Sequence, residues 1–325
     1  MKQTAFVKKY QPRWDAFEKA VAVLSAPRKH DESQRMAVGD DFAALYREIC
    51  HHLALSRSRR YSLDLQHRLN ELALQGHRFM YRPRRSRLSA LGTFLLTTFP
   101  RAFRDEWRYT MTSFALFFVP FFGFIVLLQF FPDLVFSLID AGEVTAMESM
   151  YDPDNARFGR ERQSATDTLM FGYYIYNNVG IGFRMFAGGL LFGLGTLFFL
   201  LFNGVFLGAV SGHLIGTPAT IPFTTFVVAH GAFELTGIAI FGAAGLMVGM
   251  ALVAPGNTGR WRAAQLAARR SLTLVYGATL MMLLAAFVEA YWSSTSWPPA
   301  WTKYTVGAVL WLFVIAYFAF AGRRR

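Results

Sequence analysis

Between residues 169 and 252 the chain carries only two charged side chains, Arg184 and Glu234, and between 271 and 302 only one, Glu289. A bilayer's hydrocarbon core takes about 20 mainly apolar residues per helix. Backbone polar groups at that depth must be satisfied within the segment, so helices are the natural solution. These stretches fix the class: an all-α, polytopic membrane helix bundle. The run "MTSFALFFVPFFGFIVLLQFF" at 111–131 supplies the first span, and others read at 222–252, 271–292 and 303–321. Pro120 is tolerated inside the first, because neighbouring helices can satisfy the carbonyl it frees.

Charge sets the expected topology. Residues 1–110 hold 21 Lys/Arg against 11 Asp/Glu, a net of +10, while 132–168 hold 3 Arg against 8 acids, a net of −5. The stretch "GRWRAAQLAARR" at 259–270 and the final "GRRR" are basic without acids. Basic flanks stay on the cytoplasmic side. All of them do so if 169–212 crosses twice, with a turn near Gly188-Gly189, which makes about six spans. A re-entrant hairpin from the outside meets the same parity. The N- and C-termini are then cytoplasmic and the acidic loop 132–168 extracytoplasmic. The positive excess thus marks membrane flanks; with no nucleic-acid motif beside it, nucleic acid is excluded as a partner. A single cysteine, Cys50, rules out a disulfide framework within the chain.

Residues 1–87 read as a small cytoplasmic helical domain. Trp14, Phe17, Val21 and Leu24 form one apolar stripe. Phe42, Leu45, Ile49 and Leu53 form a second, opened by Asp40 and Asp41; Leu65, Leu69, Leu72 and Phe79 form a third, with Ser62 as its N-cap. His51, His52, His67 and His77 read as surface residues of these helices. Arg82, Arg84, Arg85 and Arg87 are expected to meet anionic lipid headgroups. Residues 88–109 then read as an amphipathic interfacial helix, kinked at Pro100, with its apolar face in the acyl boundary and its basic residues outward. Residues 110–325 form the transmembrane domain. Glycines four apart, at 204, 208 and 212 and at 245 and 249, predict close helix packing.

Ionisable groups in lipid face a bundle interior or water. Counting from the span ends puts Asn177, Asn178, Asn203, His230 and Glu234 at similar depth in the outer half of the membrane. Glu289 is expected to be shallower, and Arg184 deeper, within pairing range of Glu234. His230 and Glu234, four apart, share a helix face. Three readings of this intramembrane polar cluster stay open: a hydrogen-bond network that fixes helix register, a cavity for an ion, proton or lipid headgroup, and a metal site with His230, Glu234 and Glu289 as ligands. "HGAFE" is not the HExxH pattern of metalloproteases, and His213 is expected in the outer loop. The sequence by itself calls for no cofactor, no catalytic residue and no resident metal. In the acidic loop, Asp152, Asp154 and Asp167 read either as a solvated helix and turn or as a site for calcium or a basic partner.

The blocks "YNNVGIGFRMFAGGLLFGLG", "LFNGVFLGAV", "VVAHGAFELTGI" and "LMMLLAAFVEAYW" resemble the stage II sporulation protein M family over residues 100–321. The N-terminal helices resemble its longer, non-sporulating bacterial members. The resemblance implies a bacterial cytoplasmic (inner) membrane protein. The family's namesake acts with two partners in peptidoglycan remodelling during engulfment. The family supplies no catalytic residue to carry over; Asn177, Asn178, Asn203, His230, Glu234 and Glu289 match its motifs by position. The leading expectation is a membrane scaffold that recruits other envelope proteins, in contact with membrane lipids, with a homo-oligomer left open. The alternatives are a transport-like or lipid-handling protein that uses the polar layer as its cavity, and an intramembrane metal-dependent hydrolase.

Overall fold

The computed structural model describes residues 1–25, 32–80, 87–153 and 164–323. The chain divides into two compact units, residues 1–86 and 87–325. Arg82, Arg84 and Arg85 lie outside the described residues, as do Asp154 and the side chain of Arg87.

The first unit is a three-helix bundle: α1 (Gln3–Ser25), α2 (Glu32–Ser58) and α3 (Leu63–Met80). Its core joins Phe6, Trp14 and Phe17 of α1 to Phe42 and Ile49 of α2 and Leu65, Leu69 and Leu72 of α3. α2 runs through Asp40 and Asp41 rather than opening on them. The residues before them, among them Gln34, Arg35, Met36 and Ala37, are good helix formers and carry the helix back to Glu32. His52 is not a surface residue. It is buried, and its Nδ1 accepts from Trp14 Nε1 at 3.2 Å. Lacking a partner, the indole N–H would be stranded in the core. Burial pushes the His52 imidazole below its ordinary range, with His51 adding to the effect and Glu48 opposing it.

The second unit begins with α4 (Arg87–Thr93), a π-helical turn Phe94–Thr98 and α5 (Phe99–Asp105). The disturbance sits just before Pro100. Proline has no N–H for the carbonyl four residues back, and the local bonds widen, with Phe99 N–H donating to Phe94 O. The expected orientation of this segment is corrected in its second half. Phe99 and Phe103 do not lie in an acyl boundary; they are buried against Phe318, with ring centroids 5.4 and 4.2 Å away. Nor do Arg101 and Arg104 point outward, although Arg108 does. Arg104 donates to the carbonyls of Phe318 (2.8 Å) and Ala321 (2.7 Å), and Arg101 to that of Gly322 (3.1 Å). They thereby satisfy the end of α12 (Ala300–Phe320), where cations are favoured by the helix dipole. The chain turns at Glu106, whose carboxylate takes a two-pronged pair from Arg270, and enters α6 (Trp107–Phe130).

After α6 come a 3-10 turn Pro132–Ser137, α7 (Ala141–Met150), α8 (Ser164–Ala187), a 3-10 turn Gly188–Leu190, α9 (Leu194–Ile215), α10 (Thr220–Val253), α11 (Arg260–Val288) and a π-helical turn Glu289–Ser293. No strand occurs among the described residues. Five helical segments there are long and apolar enough to cross a membrane: Trp107–Phe130, Leu194–Ile215, Thr220–Val253, Arg260–Ser293 and Ala300–Phe320. α8 is more polar, yet packs in the same bundle against α10, α11 and α9. The basic stretch 259–270, expected as a loop, forms the first turns of α11, and the connection is the shorter 254–259.

α10 is the central element. Of its most apolar window, 78% is buried, against 22% for α6 and α12. A helix apolar all round belongs in a core. Around it, glycines bring backbones together. A Cβ on Gly204 or Gly208 of α9 would lie 2.5 Å from the carbonyl oxygen of Phe117 or Phe121 of α6, and one on Gly212 would lie 2.9 Å from Ile125 Cα. The α8–α9 turn uses positive φ at Phe192 (54°) and Gly193 (83°). It packs against Gly245 and Gly249: a Cβ on Gly249 would sit 2.5 Å from Gly193 N. Gly245 is roughly 37 Å along α10 from Thr220 at 1.5 Å per residue. The α8–α9 hairpin therefore runs nearly the full length of α10.

Candidate functional site

The polar residues gather about one third of the way along α10, nearer its acidic-loop end. His230 and Glu234 are one turn apart on the buried face of α10, with His230 Nε2 3.8 Å from Glu234 Oε2. Glu289 joins them. One ligand atom from each of His230, Glu234 and Glu289 lies within 4.8 Å of the other two. The expectation that Glu289 is shallower is therefore corrected. α11 is still α-helical at Glu289, whose N–H donates to Ala285 O, and that register faces the side chain towards α10; the π-helical turn widens the helix only beyond it, towards Ser293.

Around this triad stand groups that counting from span ends did not pick out. Ser293 Oγ is 3.0 Å from His230 Nδ1. Buried Lys303 donates to the Ser293 carbonyl at 2.9 Å. The ring of Phe226 packs edge-on to His230, 5.3 Å between centroids, and its backbone lies within hydrogen-bonding reach of the imidazole. Tyr151, which ends α7, packs on Phe223 and Phe226 and so roofs the site from the acidic loop. Burial pushes the Tyr151 phenol up, with Glu289, Tyr174 and Glu234 adding to the shift. Residues 132–153 thus form a folded cap, with Val135, Ile139 and Val144 packed on Ala209 of α9 while most of α7 stays exposed. Tyr151 had no sequence signal of its own; its role follows from where α7 ends.

Asn178 is 3% exposed and stands beside Glu289, while Asn177 donates to Asn178 Oδ1 at 3.0 Å. The other expected members stay apart. Arg184 is exposed, and its Nε donates to Gly180 O on its own helix. Six residues beyond Asn178 it has turned some 240° around α8 at 3.6 residues per turn, so it cannot face Glu234. Asn203 folds back on its own helix and donates to Phe199 O at 2.7 Å. His213 lies in the last turn of α9 rather than in a loop, and its Nε2 meets Glu148 Oε1 of the cap at 2.8 Å. Asp152 lines a cleft between the cap and the 216–219 connection, and no residue of the triad lines it.

The arrangement is a buried, partly satisfied cluster with two carboxyl groups and one imidazole. Among the described residues no Lys or Arg pairs with Glu234 or Glu289. Asn178 Nδ2 and Glu289 Oε2 are buried with no hydrogen-bond partner. Chemically, it can share protons between the carboxyls or hold a cation.

Comparison with known proteins bears on the same residues. The family model for stage II sporulation protein M matches residues 95–294, which include Asn178, His230, Glu234, Glu289 and Ser293. Residues 4–82 match a domain of unknown function, DUF8413. An uncharacterized protein of Methanocaldococcus jannaschii, MJ0793, is 33% identical over 79 residues. That similarity covers 24% of this chain and 44% of the relative's length. No solved structure matches the chain. With well over half of its length matched by the one model, the chain belongs to the stage II sporulation protein M family.

Proposed function

We propose that the chain is a non-enzymatic scaffold of the bacterial cytoplasmic membrane, its termini cytoplasmic, which gathers partners for envelope and peptidoglycan remodelling. The observation that carries this reading is the backbone-to-backbone packing of α6, α9 and α10 through Gly204, Gly208, Gly212, Gly245 and Gly249. Alternating access requires one part of a bundle to rock against another. Here the approach is so close that a single methyl group would collide with main chain, which suits a body that holds one shape. That weighs against the transport-like reading, and the cleft beside the cap does not extend it to the polar layer. The basic turns of α11 share one end of the bundle with Arg101 and Arg104, and the acidic cap occupies the other, the polarity that the positive-inside rule asks for. In this reading Arg82, Arg84, Arg85 and Arg87 rest on anionic lipid. The cap, with Glu143 exposed, and the N-terminal three-helix unit each offer a partner surface.

The test is crosslinking in cells followed by isolation of the tagged chain from native membranes. Envelope-remodelling enzymes should be recovered, with less recovery from a chain lacking residues 1–86 or carrying Glu143→Lys. Recovery of lipid alone, together with an unchanged envelope when the gene is deleted, refutes the proposal.

A further inference from the structure

We propose that His230, Glu234 and Glu289 bind one divalent transition-metal ion, of the zinc, manganese or iron(II) class. The inference stands on geometry and is independent of the scaffold reading.

Three observations lead to it. The first is convergence: one nitrogen and two carboxylate oxygens from α10 and the π-helical turn after α11 come within 4.8 Å of one another. The 3.8 Å between His230 Nε2 and Glu234 Oε2 is too long for a hydrogen bond. It is near the ~3.4 Å that separates two ligands on a tetrahedral ion with bonds of about 2.1 Å. The second is the outer arrangement. A metal-bound histidine gives its other ring N–H to a neighbouring acceptor, which fixes the tautomer and aims the lone pair. His230 has that acceptor in Ser293 Oγ at Nδ1, and Ser293 is held in turn by Lys303 through its carbonyl. Nε2 is left facing the carboxyl groups. The third is what the cluster leaves unsatisfied. Glu289 is 9% exposed with Oε2 unpartnered, and Asn178 is 3% exposed with Nδ2 unpartnered beside it. Two ionised carboxylates in such surroundings need a compensating positive charge. A dication neutralises both. Asn178 Nδ2 is then placed to donate to a water or anion in the remaining coordination position.

The ligand set selects the class. One imidazole with two carboxylates suits zinc, manganese and iron(II). Calcium takes six to eight oxygen ligands and magnesium a near-ideal octahedron, and neither favours imidazole.

The experiment uses the full chain in detergent, purified through a tag without histidines, with metal content measured by mass spectrometry after desalting. About one metal ion per chain is expected, either as isolated or after stripping with a chelator and reloading with Zn2+, Mn2+ or Fe2+ under argon. Cobalt(II) added to the stripped protein should give visible d–d absorption that excess Zn2+ abolishes. His230→Gln and Glu289→Gln should lower affinity by at least about tenfold, and Asn178→Ala by about 10-fold or more through the outer shell. Because the first two variants can fail to fold, the cobalt titration of the wild type decides alone. Less than about 0.1 metal per chain in every loading, with no cobalt spectrum, overturns the proposal. So does equal metal content in folded Glu289→Gln, which would mean that the metal sits elsewhere.

Discussion

Gly208→Ala isolates what the close seam between α6 and α9 contributes. The added Cβ would lie 2.5 Å from the Phe121 carbonyl oxygen, 3.0 Å from Phe121 Cα and 3.1 Å from its carbonyl carbon. All three atoms are main chain, so no rotamer change relieves the overlap, and the helices must separate by about 0.7 Å to restore ordinary contact. A gap of 0.5–1 Å forfeits roughly a quarter to a half of each contact worth 0.1–0.2 kcal/mol. Over the ~40–60 contacts in the two adjoining turns this comes to about 2 kcal/mol, within the usual range for an overpacked site. Alanine's better helix propensity returns about 1 kcal/mol. Gly123→Ala is the matched control: it adds the same methyl to α6, where nothing lies within 4 Å. It should gain about 1 kcal/mol from the same propensity term with nothing to oppose it. The two variants should therefore differ by about 2 kcal/mol, which for a domain of this size is a Tm separation of about 4–8 °C. Thermal unfolding of both proteins in one detergent, followed by intrinsic fluorescence, measures it. Equal melting temperatures, or a lower one for Gly123→Ala, would refute the packing argument.

Other expectations follow from single contacts. Arg104→Ala removes two charge-assisted hydrogen bonds to the end of α12 and should cost about 1.5–3 kcal/mol in thermal stability, whereas Arg104→Lys should recover part of it. The N-terminal unit should weaken on acidification. Folding holds the His52 ring below its unfolded value of 6.5, so the unfolded chain binds more protons once pH falls through that value, and stability drops from there towards the folded pKa. Trp14 fluorescence during denaturation at pH 7.5 and 5.5 reads this out, and His52→Phe should flatten the dependence. On a Cys50→Ser background, Thr258→Cys in the 254–259 connection should resist impermeant thiol reagents in intact cells, while Thr145→Cys in the cap should react; the opposite pattern inverts the proposed orientation.

Much of the bundle was legible because hydropathy acts over about 20 residues at a time. The spans, the hairpin turn at Gly188-Gly189 and the glycine stripe on α9 are all properties of runs or fixed spacings. Depth counting also brought His230, Glu234 and Asn178 to one level, since an unbroken helix rises by a constant amount per residue. It failed at Glu289, where depth was counted from an assumed span end at 292: the helical segment runs on to Ser293, and Glu289 comes within reach of His230 and Glu234. It failed again for Arg184 and Asn203, where depth was estimated without azimuth: each bonds to a carbonyl of its own helix instead of facing the cluster. Tyr151 and Ser293 were invisible for a third reason. An isolated hydroxyl carries no periodicity, and only tertiary folding of the cap and of the α11 end brings it near the site.

The clasp between Arg104 and the end of α12 joins residues 214 positions apart in the chain. At synthesis rates of 5–20 residues per second, that interval lasts roughly 10–40 s. For most of it, the first hydrophobic helix has been made while Phe99, Phe103 and two arginines still lack their partners on α12. Nascent chains should therefore spend those seconds with this aromatic face open to an insertase or chaperone, and assembly of this seam should be triggered by arrival of α12. Emergence of that helix, rather than threading of each earlier one in turn, becomes the event that closes the bundle here.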